Sequence, residues 1–128
     1  DKVKDAVQLF LKAGIPLLSQ STLLKGVNDD AKTLENLFRA LTALRIKPYY
    51  LHHPDKPPGT GHFRLPLAAG QKMMGALQGI LSGIALPRYM LDIPGGFGKA
   101  PINAPVVETK DDHYLVTDYQ GKTHVYKD

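Results

Sequence analysis

The stretch LENLFRALTALRIKPYYL, residues 34–51, changes its period in the middle, and that change decides the fold class. Leu34, Leu37, Phe38, Leu41 and Leu44 recur every three or four residues, which puts them on one stripe of an amphipathic helix. Arg45 stands where the negative pole of the helix dipole favours a cation. From Lys47 the pattern gives way to Pro48, Tyr49, Tyr50 and Leu51, an aromatic-rich strand most simply read as strand core. A helix feeding a strand is half of a βαβ unit, and the alternation continues on both sides.

Upstream, Val3, Ala6, Val7, Phe10 and Leu11 mark a helix that Gly14 stops. Ile15 to Leu24 reads as a buried strand with a polar end, and Lys25 to Asp30 as a turn whose Asp29 or Asp30 caps the next helix. Downstream, His53 to His62 is a Pro/Gly-rich loop, and Pro66 opens a third helix carrying Leu67, Met73, Met74, Leu77, Ile80 and Leu81 as far as Gly83. Gly70, Gly75 and Gly79 inside it each cost about 1 kcal/mol relative to Ala, a cost that close packing against a neighbour would explain. Arg88 to Ile93 is a further strand, Pro94 to Pro101 a loop. Val106–Thr109, Tyr114–Thr117 and Thr123–Tyr126 form an antiparallel meander.

The fold class expected from this order is α/β, with parallel strands and helical crossovers over residues 1–101 and a β-rich extension over 102–128. Three βα units cannot close an eight-stranded barrel. Either the sheet is open, or these are the last units of a partial (β/α) TIM-like barrel whose remainder lies on other sequence. Asp1, rather than Met, opens the chain directly in a helix, which favours a piece of something longer.

The composition narrows the chemistry. The 128 residues contain no Cys, so disulfides, thiolate nucleophiles and cysteine-held metals or clusters are beyond these residues alone. Sixteen Lys plus Arg stand against 12 Asp plus Glu, a net charge of +4. The lysines are scattered along the chain, not gathered into the basic, aromatic-interleaved face that nucleic acid selects, so no nucleic-acid partner is expected. No run approaches the ~18 uncharged apolar residues of a membrane span, so the expected setting is cytoplasmic.

Ligands of parallel α/β folds bind at the carboxyl ends of the strands, which directs attention to the loops at residues 20–30, 52–62 and 92–99. In the last of these, Gly95, Gly96 and Gly98 precede Lys99. The spacing matches neither the dinucleotide fingerprint nor a P-loop, since Ala100 follows the lysine. Lys99 is then either a nucleophilic amine of the Schiff-base kind or a solvated loop lysine. Asp55 and Asp92 are either turn formers or, if the loops converge, a carboxylate pair for a cationic group. His52 and His53 are adjacent on a strand and point to opposite faces, so with His62 they make a poor metal site and none is assigned.

The segments Gln20-Ser21-Thr22-Leu23-Leu24-Lys25-Gly26-Val27-Asn28-Asp29, Pro48-Tyr49-Tyr50-Leu51, His62-Phe63-Arg64, Ser82-Gly83 and Asp92-Ile93-Pro94-Gly95-Gly96-Phe97-Gly98-Lys99 occur in one order over nearly the whole chain. Together they resemble the carboxyl-terminal part of the lysine 2,3-aminomutase family of radical S-adenosylmethionine enzymes. The resemblance implies an isomerase that interconverts L-lysine and β-lysine by radical 1,2-amino migration on a pyridoxal phosphate aldimine. Lys99 matches the lysine that holds pyridoxal phosphate, Asp55 and Asp92 match the acids that grip the substrate's distal ammonium, and Gln20 matches a polar residue near the cofactor phosphate.

The implied S-adenosylmethionine and [4Fe–4S] cluster need a Cys-x-x-x-Cys-x-x-Cys motif that this chain lacks. The cluster-binding half of the protein is therefore expected upstream, and the present chain alone is expected to be inactive. Some relatives also bind an intersubunit zinc through cysteines, one of which would stand at Asp30, so zinc-bridged assembly is not implied and homo-oligomerisation stays open. Two other readings remain: a relative that makes β-lysine for modification of translation elongation factor P, and a non-catalytic α/β binding module in which Lys99 faces solvent.

Overall fold

The computed structural model describes residues 1–128 as a mixed α/β fold with two sheets. The chain runs α1 (Lys2–Lys12), β1 (Leu17–Thr22), α2 (Ala31–Ala43), β2 (Ile46–His52), a 3₁₀ turn (Gly61–Phe63), α3 (Leu67–Gln78), β3 (Arg88–Asp92), β4 (Lys99–Pro101), β5 (Val107–Thr109), β6 (Tyr114–Thr117) and β7 (Thr123–Tyr126). The first sheet has the order β1-β2-β3-β4, with β1, β2 and β3 parallel and β4 antiparallel to β3. The second is an antiparallel meander, β5-β6-β7.

The helix boundaries follow local chemistry. Asp30 Oδ1 accepts the Thr33 N–H at 2.8 Å and caps α2, whereas Asp29 Oδ1 accepts the Gly26 N–H at 3.0 Å and closes the preceding turn. α1 ends before Gly14, whose φ of +73° reverses the chain. α3 is shorter than its apolar pattern predicts: it ends at Gln78, capped by Gly79, and Gly83 lies beyond it. Gly79 leaves room for the ring of Tyr119, in the turn between β6 and β7, which a Cβ there would meet at 2.3 Å.

One core unites the first sheet with α2 and α3. Leu23, Leu51 and Tyr89 from the sheet side meet Leu34 and Phe38 of α2 and Met74 and Leu77 of α3, all buried, and each contributes about 1.5–3 kcal/mol of transfer free energy. Tyr49 and Tyr50 are not core as the sequence suggests. Tyr49 is exposed, Tyr50 half-buried, and their rings stack at 3.9 Å.

The reason is a register shift. Ser19 pairs with Pro48 but Gln20 with Tyr50, so Tyr49 is an extra residue in β2, a β-bulge. Beyond the bulge His52 pairs with Thr22; unshifted, it would stand opposite Leu23, a core residue. The second departure from the sequence reading is β4. Its three residues follow a glycine-rich turn and end on Pro101, too short a run to display alternation, and they close a hairpin with β3.

Of the three glycines inside or ending the α3 pattern, Gly70 and Gly79 meet neighbours and Gly75 faces open space. A Cβ on buried Gly70 would lie 1.9 Å from Tyr89 Oη. Tyr89 cannot yield, because its hydroxyl is held by His53 Nδ1 at 2.7 Å. Gly70→Ala should destabilise the fold by about 1–3 kcal/mol, while Gly75→Ala should stabilise it by up to about 1 kcal/mol. Urea unfolding of the two variants beside the parent checks the opposite signs.

Candidate active site

Four side chains, one from each strand of the first sheet, join in spatial order. Gln20 of β1 contacts His52 of β2, with 2.9 Å between Oε1 and Nε2. His52 Nδ1 donates to Asp92 Oδ2 of β3 at 3.1 Å. Lys99 Nζ of β4 donates to Asp92 Oδ1, the other oxygen of the same carboxylate. These residues share the sheet face opposite Leu51 and Tyr89, because successive strand side chains alternate. The polar row lies at the carboxyl ends of β2 and β3, where parallel sheets bind ligands.

Lys99 reaches Asp92 through the hairpin, not through a phosphate-type loop. Gly95, Gly96 and Gly98 adopt φ of +92°, +80° and +89°, a left-handed backbone that glycine takes without steric cost. The Ile93 N–H donates to Gly98 O at 2.9 Å, and the register sets Lys99 directly across from Asp92. The Phe97 ring folds over Gly95, where a Cβ would lie 2.7 Å from Cε2.

Asp55 arrives from the other side. Asp55, Asp92, Ile93, Pro94, Gly96, Gly98 and Lys99 line one cleft of about 610 Å³. The loop carrying Asp55 is braced at both ends: the His53 N–H donates to Met90 O at 2.7 Å, and Arg64 Nη2 donates to Pro57 O at 3.0 Å. The cleft thus combines two acids with one primary amine, and its volume lies within the ~300–1,000 Å³ range of small-molecule sites. Lys99 and Asp92 keep 46% and 34% of their side-chain surface in solvent, so the amine is accessible to a ligand.

Electrostatics follow the contacts. The hydrogen bond from Lys99, reinforced by His52, holds the Asp92 carboxyl below its ordinary value of 3.8. Burial pushes the Tyr89 hydroxyl up to about 12, and burial with the charge of Lys56 lowers His53. His52 and His53 diverge to opposite faces, and His62 lies against the Phe63 ring. Sequence reasoning considered His52 only as a metal ligand. Strand alternation, which aligns it with Asp92, was the available signal for its place in the row.

Among curated proteins, the chain is similar to one of Aquifex aeolicus that carries the provisional name L-lysine 2,3-aminomutase, with 46% identity over 125 residues, 97% of this chain and 34% of that protein. It is 36% identical over 124 residues to the L-lysine 2,3-aminomutase of Clostridium subterminale, covering 96% of this chain and 30% of the relative. It is also 34% identical over 120 residues to the glutamate 2,3-aminomutase of Clostridioides difficile, covering 93% and 28%. The chain spans about a third of the length of the curated relatives it matches. No family model matches it. No helix is long and apolar enough to cross a membrane.

The geometry sets an expectation for Asp92. In an NMR titration its carboxyl should ionise below 3.8, and Lys99→Met should move it upward. A carboxyl depressed by folding stabilises the native state above its unfolded pKa, and that contribution disappears as pH falls through the folded value. A carboxyl that titrates identically in both proteins would show that the ion pair does not form in solution.

Proposed function

We propose that this chain, which belongs to the lysine 2,3-aminomutase family of isomerases and matches the carboxyl-terminal part of longer relatives, supplies the cofactor-anchoring lysine and the substrate-ammonium acids for interconversion of L-lysine and β-lysine. The observation that carries this reading is the convergence of Lys99, Asp92 and Asp55 on one cleft. A partial (β/α) barrel over residues 1–101 with a β extension over 102–128 is the architecture this implies. Further βα units would pack beside β1, where Val3, Val7 and Phe10 of α1 and Leu17, Leu18 and Ile46 form an apolar groove of about 410 Å³.

The residues suit pyridoxal phosphate. Lys99 offers an accessible primary amine, and Gly96 and Gly98 leave open space beside the backbone where side chains would stand. Pyridoxal phosphate would supply an aldehyde and an electron-accepting ring, and S-adenosylmethionine with a [4Fe–4S] cluster, held by cysteines outside this chain, would supply the radical.

The remaining work falls to the chain's own side chains. A cofactor held on Lys99 would take that amine away from Asp92 Oδ1 and leave this oxygen free to accept from the distal ammonium of the substrate, with Asp55 supplying the second negative charge. The two acids disfavour a substrate ending in a carboxylate through like-charge repulsion, which favours lysine over glutamate.

Borohydride reduction of the full-length protein loaded with pyridoxal phosphate should fix the cofactor on the peptide containing Lys99. The visible absorbance of the bound cofactor should vanish in Lys99→Ala. Label on another lysine, or an unchanged spectrum in the variant, would overturn this assignment. Asp92→Asn and Asp55→Asn should each weaken L-lysine binding by about tenfold or more, roughly 1.4 kcal/mol, and spare 2-aminohexanoate, the analogue without the distal amine. Equal losses for both ligands, measured by spectroscopic titration, would remove the acids from the ammonium site.

A further inference from the structure

Asp92 carries two partners, one on each carboxylate oxygen. Lys99 holds Oδ1 and, on the reading above, gives it up to the substrate. His52 holds Oδ2. The terminal torsion of an aspartate is broad and roughly two-fold, so a carboxylate that loses its only anchor swings freely. A carboxylate anchored through one oxygen presents the other in a defined direction.

We propose that His52 is a positioning residue for the substrate's distal ammonium, acting through Asp92. This inference rests on the assignment of Asp92 as an ammonium ligand and deepens it.

The ring is placed for that task from several sides. The bulge at Tyr49 turns His52 away from the core and onto the face of Gln20. Tyr50 meets the imidazole edge to face, with 5.7 Å between centroids. Gln20 contacts Nε2, and only 15% of the His52 side chain is exposed, against 34% for Asp92. With 46% of the Lys99 side chain exposed, His52 is the more sheltered of the two partners of Asp92.

Proton bookkeeping agrees with this role. Asp92 is ionised and only accepts, so Nδ1 must carry the hydrogen. The Gln20 carboxamide can turn either its oxygen or its NH₂ group towards Nε2, so this contact is satisfied whether the ring is neutral or charged. In both states Nδ1–H points at Oδ2. Gln20, matched by resemblance to a residue near the cofactor phosphate, here acts as the outer buttress of the imidazole.

The test uses full-length protein loaded with pyridoxal phosphate, titrated spectroscopically with L-lysine and separately with 2-aminohexanoate. His52→Leu should raise the Kd for lysine about tenfold, as expected for loss of one charge-assisted contact's guidance, and leave that for 2-aminohexanoate unchanged. His52→Asn, which keeps an N–H donor near the position of Nδ1, should return lysine affinity to within about threefold of the parent. Gln20→Ala, at an exposed position that tolerates truncation, should produce a smaller loss confined to lysine and serves if His52→Leu does not fold.

Losses shared equally by the two ligands, failure of His52→Asn to rescue, or no loss in either His52→Leu or Gln20→Ala would overturn the proposal. Asp92→Asn measured alongside separates the two levels. If it is selective for lysine while the His52 variants are not, the positioning role alone falls. If it is not selective either, the ammonium-site reading falls and this inference with it.

Discussion

The site depends on strand parity. In β2 and β3, nearby residues divide between two environments: Leu51 and Tyr89 face the helices and the core, while His52 and Asp92 share the opposite face, where Asp92 lines the cleft. A parallel strand normally buries both faces and needs no such division. Here the division is kept by the extra residue at Tyr49. It costs one unpaired position and two partly exposed aromatic rings, and in return an imidazole that would otherwise oppose Leu23 stands beside Gln20 and Asp92. Removing the bulge would exchange the faces of every β2 residue that follows it.

Core and site are coupled through the same strands. Tyr89 fills the space that Gly70 leaves in α3, and its hydroxyl meets His53, the residue after β2 from which the loop to Asp55 departs. The His53 N–H in turn closes on Met90 O. The position of Asp55 is therefore tied to the packing of α3 on the sheet. Two further contacts hold α3: Tyr119, in the turn between β6 and β7, lies against Gly79 at its carboxyl end, and Gln71 Nε2 near its start donates at 2.9 Å to the O of Ile102, the residue after β4.

The helices and parallel strands were legible because their signals are local and repeated: apolar residues at three- and four-residue intervals in α2, turn residues at its start, β-branched and aromatic runs in the strands. The convergence of Lys99 with Asp92 was only half legible. Glycines signal a turn without stating what it joins, and three residues of β4 are too few to reveal a hairpin. The bulge left no mark in the pattern, since Tyr49 and Tyr50 look equally suited to a core. The contact of Gly79 with Tyr119, forty residues away in sequence, was equally out of view. What could not be read was in each case a relation between distant residues that no local pattern encodes.

The strength of the Lys99 and Asp92 pair also bears on its use. Both side chains retain substantial exposure, and ion pairs in such surroundings contribute about 0–1 kcal/mol to folding. The hairpin does not need the pair, because the backbone bond from Ile93 to Gly98 and the cross-strand register already fix its geometry. An amine held this weakly can leave its carboxylate at little cost, and the carboxylate, still bonded to His52, would not have to reorganise if a second ammonium took its place. A tight, buried pair would stabilise the chain's own contact at the expense of any exchange, since separating it would strand a desolvated charge. Partial exposure on the lysine side and shelter on the histidine side are thus the arrangement that the proposed exchange of one cation for another would require.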